Sequence, residues 1–161
     1  MLYFGISIGL LLLDQATKKY MSSILPLCQP GYCKSLEILP VFKLTVVHNE
    51  GAAFSFLSDA GGWQRWLLVA ISSLVSIFLT VWLYRVSRQE KLLALALACI
   101  LGGALGNLVD RVLQGYVVDF FVVYYEQYYF PAFNIADSAI SVGAALLVID
   151  MFYKPGGKAG A

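Results

Sequence analysis

The chain has 161 residues, of which 60% are hydrophobic and 13% charged, and its mean hydropathy is +0.75. A soluble domain holds about 25% charged residues, so these charges are too few to cover a globule of this size, and bilayer is the expected solvent. The formal net charge of +1 gives no electrostatic footprint for nucleic acid.

The first apolar segment, about residues 2–20, is long enough to cross a hydrocarbon core of about 30 Å. Met1 enters it without a basic leader and Asp14 interrupts it, which predicts a retained span rather than a cleaved signal peptide. Asp14 and Lys18 stand at i,i+4 on one helix face and can pair. Lys19 is expected to snorkel to the headgroups.

Residues 24–62 have a different texture. Cys28 and Cys33 flank Gln29-Pro30-Gly31-Tyr32, a turn signal. The two thiols close a hairpin if the loop faces an oxidising compartment and stay free otherwise. Ile38 to Val47 is β-rich with Pro punctuation, which predicts a small sheet outside the membrane. That strand run is expected to end at a turn, His48-Asn49-Glu50-Gly51. His48, the one histidine, has no neighbour at ligand spacing and reads as structural.

A second span covers about residues 66–84 and contains no charged residue. A third covers about 92–112. In it Cys99 reads as a small core residue, and Gly102-Gly103-Ala104 with Gly106 as small residues that let helices approach. Asn107, Asp110 and Arg111 share one face at i,i+3 and i,i+4. Asp110 and Arg111 read either as a structural pair tying the bundle or as part of a site. The aromatic stretch Tyr116 to Phe133 is expected to lie along the membrane interface. The fourth span, about 133–153, opens with Asn134 and Asp137. Asp150 near its inner end reads as an interfacial charge.

Arg85, Arg88 and Lys91 between spans two and three, with Lys154 and Lys158 in the tail, place both termini in the cytoplasm by the positive-inside rule. The fold expected is therefore mainly α and integral to the membrane. It has four transmembrane helices, a small extracytoplasmic β-sheet and an interfacial aromatic segment, all in one membrane domain over 1–161.

Depth makes the polar residues informative. At 1.5 Å per residue, Asp14 and Lys18 lie roughly 20–25 Å along the first span, and Asn107, Asp110 and Arg111 about 23–29 Å along the third. Asn134 and Asp137 lie within about 6 Å of the outer entry of the fourth. Separate segments thus deliver ionisable groups to one layer near the outer surface. Intramembrane charges are costly and face the bundle interior. Asp119 and Asp137 have no basic residue within one helical turn of sequence to neutralise them.

Several chemistries are excluded. The chain has no His-Glu-x-x-His and no Gly-x-Ser-x-Gly elbow. It has no phosphate-cradling loop, and one histidine with no usable Cys pair cannot assemble the usual zinc site. No cofactor and no metal are expected. Two adjacent aspartates cannot both ionise, so one keeps its proton. Such a pair supplies a general base for water and a general acid for a leaving nitrogen. Proton-coupled transporters use carboxylates too, and that is the alternative reading. It calls for polar groups through the full depth of the membrane, whereas span two offers only Ser72, Ser73, Ser76 and Thr80.

Five blocks occur in order. They are Asp14-Gln15-x-x-Lys18, Asn49-Glu50-Gly51-Ala52-Ala53-Phe54, the run Gly102 to Arg111, Val118-Asp119-Phe120, and Phe133-Asn134-Ile135-Ala136-Asp137-Ser138. Together they strongly resemble the bacterial lipoprotein signal peptidases, or signal peptidase II, from about Leu11 to Phe152. The resemblance implies an inner-membrane aspartic endopeptidase with its active site near the periplasmic face. Asp119 and Asp137 would be its catalytic dyad. Asp14, Lys18, Asn49, Asn107, Arg111 and Asn134 would position substrate or hold the site together, with Gly51 and Asp110 beside them as supporting residues. The implied substrate is a prolipoprotein carrying diacylglyceryl-Cys, cut just before that Cys. Membrane lipid is the other expected partner, and a monomer the expected state.

Overall fold

The structure is a computed structural model and describes residues 1–51 and 62–153. Ala52, Ala53, Phe54, Lys154 and Lys158 lie outside the described residues. The elements run α1 (Leu2–Ile24), β1 (Leu36–Leu39), β2 (Phe42–Asn49), α2 (Trp63–Val86), α3 (Lys91–Leu113), β3 (Val117–Tyr125), β4 (Tyr128–Tyr129) and α4 (Ile135–Tyr153). Each helix corresponds to an expected span with ends moved by a few residues. α1 gains a turn because nothing breaks it before Pro26, and Leu25, preceding that proline, is extended.

α2, α3 and α4 are long and apolar enough to cross a membrane. α1 has the length, 23 residues, but carries Asp14, Lys18 and Lys19 in its second half. α3 is the centre of the bundle and packs against α1, α2 and α4. Backbones meet there because side chains are missing: a Cβ on Gly102 would lie 2.8 Å from the Ser7 carbonyl oxygen. One on Gly103 would overlap the Ala136 carbonyl of α4. The glycine-rich run thus acts as the expected packing surface.

Burial is inverted relative to a soluble protein. Leu12, Leu13, Trp66, Leu74, Phe78, Val142 and Val148 are exposed, while Ser7, Asp14, Lys18, Ser76, Asn107 and Asp110 are buried. Apolar atoms outward and polar atoms inward are what an apolar solvent selects. Asp150 follows the same rule and is buried, because an acidic group on an otherwise apolar helix turns toward protein.

The strands form one antiparallel sheet in the order β1-β2-β3-β4. Two expectations are corrected here. His48 and Asn49 are still strand, paired with Val118 and Val117, so the turn begins later than its residue types indicate. The aromatic stretch is not a separate element: β3 and β4 carry it, and β3 pairs with β2 across the whole α2–α3 hairpin. Leu25, Leu44, Val46, Val118 and Phe120 form a small core between this sheet and the α1 end, with Met21 and Ile135 packed on it. Cys28 and Cys33 are joined by a disulfide, across a turn in which Gly31 takes φ +84°. Cys99 is a buried free thiol in the bundle core.

Candidate active site

α4 begins with a reciprocal cap. Asn134 Oδ1 accepts the backbone N–H of Asp137 at 2.9 Å, and Asp137 Oδ2 accepts that of Asn134 at 3.2 Å. This is a capping box, and it fixes the Asp137 carboxyl over the positive end of the helix dipole. The i,i+3 spacing of the two residues carries the signal.

Asp119 sits on β3 beside it, 2% exposed. Its Oδ1 accepts from Asn134 Nδ2 at 2.7 Å and its Oδ2 from Asn49 Nδ2 at 3.1 Å. Asn49 is held by its other end, since its Oδ1 accepts the Gly51 N–H at 3.1 Å. Asn107 Nδ2 donates to Asp137 Oδ1 at 2.8 Å. Asn134 therefore bonds both carboxyl groups. Asp119, Asp137, Asn49, Asn107 and Arg111 line one cavity of about 780 Å³, whose far wall is apolar: Phe130, Phe133, Ile140 and Val142. Burial first, and then the charge of Asp137, push the Asp119 carboxyl up to about 7, against the pull of the Asn49 and Asn134 amides. A group at that value exchanges its proton near neutrality.

Beneath the cavity lies a second carboxylate pair. Lys18 Nζ donates to Asp14 Oδ2 at 2.7 Å, to Asp110 Oδ2 at 2.9 Å and to Asn107 Oδ1 at 2.9 Å. All three ammonium hydrogens are thus used. The Asp14–Lys18 pairing follows its helical spacing, and Lys19 is exposed. The Asp110–Arg111 pair is not formed. Neighbouring helical residues point about 100° apart, so Asp110 turns to Lys18 while Arg111 donates to the Gly51 carbonyl at 3.1 Å.

Two contributors escaped the sequence reading. Gln15 donates to Asp110 Oδ1 at 2.8 Å, to the Gly106 carbonyl at 3.1 Å and to Asp14 Oδ2 at 3.3 Å. Its i,i+3 relation to Lys18 was the available signal. Arg65, at the start of α2, donates to the Arg111 and Val112 carbonyls at 2.9 and 2.7 Å. It thus caps the C-terminus of α3, where a cation is favoured, and no local pattern announces that contact. His48 stacks on Tyr116 with ring centroids 3.8 Å apart and forms part of the cavity rim. Among the described residues no three His, Cys, Asp or Glu side chains converge as metal ligands.

Residues 6–153 match the family model described as Signal peptidase (SPase) II. The lipoprotein signal peptidase of Acinetobacter baumannii is 50% identical over 153 residues, which cover 95% of this chain and 84% of that protein. That of Teredinibacter turnerae is 52% identical over 151 residues, 94% of this chain and 87% of that protein. A bacterial membrane enzyme solved by the in meso method at 2.3 Å resolution superposes with a TM-score of 0.74 at 27% identity. The superposition covers 98% of this chain and 94% of that one. The chain belongs to the signal peptidase II family.

Proposed function

We propose that this enzyme removes the signal peptide of a diacylglyceryl-modified prolipoprotein, cutting just before the lipidated Cys, with Asp119 and Asp137 as its catalytic dyad. One observation carries the reading: two carboxyl groups from a strand and a helix cap are tied through Asn134 and open on one half-apolar cavity. With a single proton between them, the ionised carboxyl takes a proton from water as that water attacks the scissile carbonyl. The protonated one delivers its own to the departing amide nitrogen. Asn49, Asn107 and Asn134 orient the pair. Arg111, bonded to the Gly51 carbonyl, holds the β2 end at the rim, and Asp14, Lys18 and Asp110 support from below. The apolar wall suits acyl chains, each buried CH₂ stabilising the complex by about 0.8 kcal/mol.

The same reading sets α1 across the membrane as a fourth span, its charges turned to protein rather than lipid. The sheet then lies on the extracytoplasmic side, both termini are cytoplasmic, and the tyrosine-rich edge of the sheet sits at headgroup level. Two independent features support that orientation. Arg85, Arg88 and Lys91 cluster at the opposite end of the bundle, and the Cys28–Cys33 disulfide belongs in an oxidising compartment.

The test is to assay Asp119→Asn and Asp137→Asn separately on a diacylglyceryl prolipoprotein in lipid or detergent. Each is expected to lose at least about 10²-fold in kcat while remaining folded. Near-normal turnover in either defeats the dyad.

A further inference from the structure

The two carboxylate pairs are connected in an orderly way. Asp14 Oδ1 accepts the backbone N–H of Ala136 at 2.9 Å, the residue immediately before Asp137. Asp110 Oδ2 accepts the backbone N–H of Val118 at 3.3 Å, the residue immediately before Asp119. Each lower carboxylate therefore grips the main chain one residue ahead of one upper carboxyl. Lys18 bonds both lower carboxylates, and Gln15 bonds both as well, with an anchor on the Gly106 carbonyl. A Cβ on Gly106 would lie 2.6 Å from Asp14 Oδ2, so only glycine leaves α1 and α3 close enough for the assembly. Lys18 also takes Asn107 Oδ1, which turns the amide NH₂ of Asn107 toward Asp137.

We propose that Gln15 and Lys18 form a positioning clamp that sets the separation of Asp119 and Asp137 by holding Asp14 and Asp110 together. This deepens the dyad reading and rests on it. Neither clamp residue touches the reacting atoms. They act through two backbone grips, one on β3 and one on α4, and through the orientation of Asn107. The two aspartates come from different elements, a strand and a helix cap, so neither local structure alone fixes the distance between them. The buried ammonium and the half-buried amide span that gap, where a charge-assisted bond is stronger than in water.

Gln15→Met keeps the side-chain length, removes the amide and leaves the Lys18 ion pairs in place. The expected result is a fall in kcat of about 10- to 100-fold, the cost of a small misplacement of reacting groups, with KM for the diacylglyceryl prolipoprotein within twofold. A wider dyad also weakens the influence of Asp137 on Asp119, so the alkaline limb of kcat/KM moves to lower pH. The other groups facing Asp119, which are Lys18 from α1, Arg111 from α3, the Asn49 amide from β2 and the Asn134 amide at the start of α4, stay in place in this variant. The charge-conserving pair Lys18→Gln with Asp110→Asn is expected to give the same kcat loss, while its limb falls less far because the lost ammonium no longer favours the ionised Asp119. A variant that unfolds at lower temperature yet keeps wild-type kcat and an unmoved limb overturns the clamp. Asp119→Asn and Asp137→Asn, run in parallel, separate the two ideas: if both are inactive while Gln15→Met behaves as wild type, the dyad stands and the clamp falls.

Discussion

α1 and α2 are nearly equal in length, 23 and 24 residues, and opposite in design. α2 has no charge between Trp66 and Tyr84 and packs chiefly on α3. Its Trp66, Leu74, Ile77 and Phe78 face outward. α1 is the more polar helix and the more deeply engaged, with Ser7, Asp14 and Lys18 buried against α3 and α4. Apolarity along a segment therefore reports where the lipid is. Polarity reports where another segment must be, because a charge in hydrocarbon finds no other home. The seam that α1 fills is the one that carries both carboxylate pairs, the lower bridged by one ammonium and the upper hydrogen-bonded by amides alone among the described residues.

Lys18→Met should break this contrast most severely. It leaves Asp14 and Asp110 buried without their cation, an error that costs about 3–5 kcal/mol, whereas Leu74→Ala on the outer face of α2 costs almost nothing by comparison. Thermal unfolding in detergent measures both; equal losses would mean that the seam is no more critical than the lipid face. Within the seam, Asp119→Asn sharpens the difference between the two pairs. The Asp119 carboxyl titrates near 7 in the fold, well above its ordinary 3.8. Its contribution to stability is therefore complete below about 3.8 and lost as pH rises through about 7. The Asn variant, free of that loss, should exceed the wild type in Tm at pH 8, and the gap should close toward pH 5. A gap that widens on acidification would reverse the sign. The smallest effect belongs to α2: the buried Ser76 hydroxyl has no hydrogen-bond partner among the described residues, so Ser76→Ala should change stability by no more than about 0.5 kcal/mol or raise it.

What could be read in the sequence follows the same division. Spans were legible because a long apolar run has one use, and the Asp14–Lys18 pair because helical spacing fixes a face. For Asp110 and Arg111 the sequence left two readings open, and angular separation on the helix decides between them: the two side chains part to Lys18 and to the Gly51 carbonyl. The aromatic stretch hid a strand: Val117 to Tyr125 alternates poorly, as expected where both sides of β3 are occupied, Val117 to Phe120 being continuously buried. The Cys28–Cys33 bond depended on compartment, which no local pattern states. Gln15 was passed over because an amide beside two charges looks incidental until the carboxylates it joins are known. The five ordered blocks pointed to the family and held most of the polar residues of the cavity, but not how its parts brace one another.

The most direct test of the central claim, that one proton is shared between Asp119 and Asp137, is the pH dependence of kcat/KM for the unaltered enzyme. An alkaline limb near pH 7 is expected, where Asp119 gives up its proton. Asn49→Ala removes a hydrogen bond that favours the ionised carboxyl, so it should move that limb to higher pH. A kcat/KM that stays level from pH 6 to about 9 in both proteins would contradict the account.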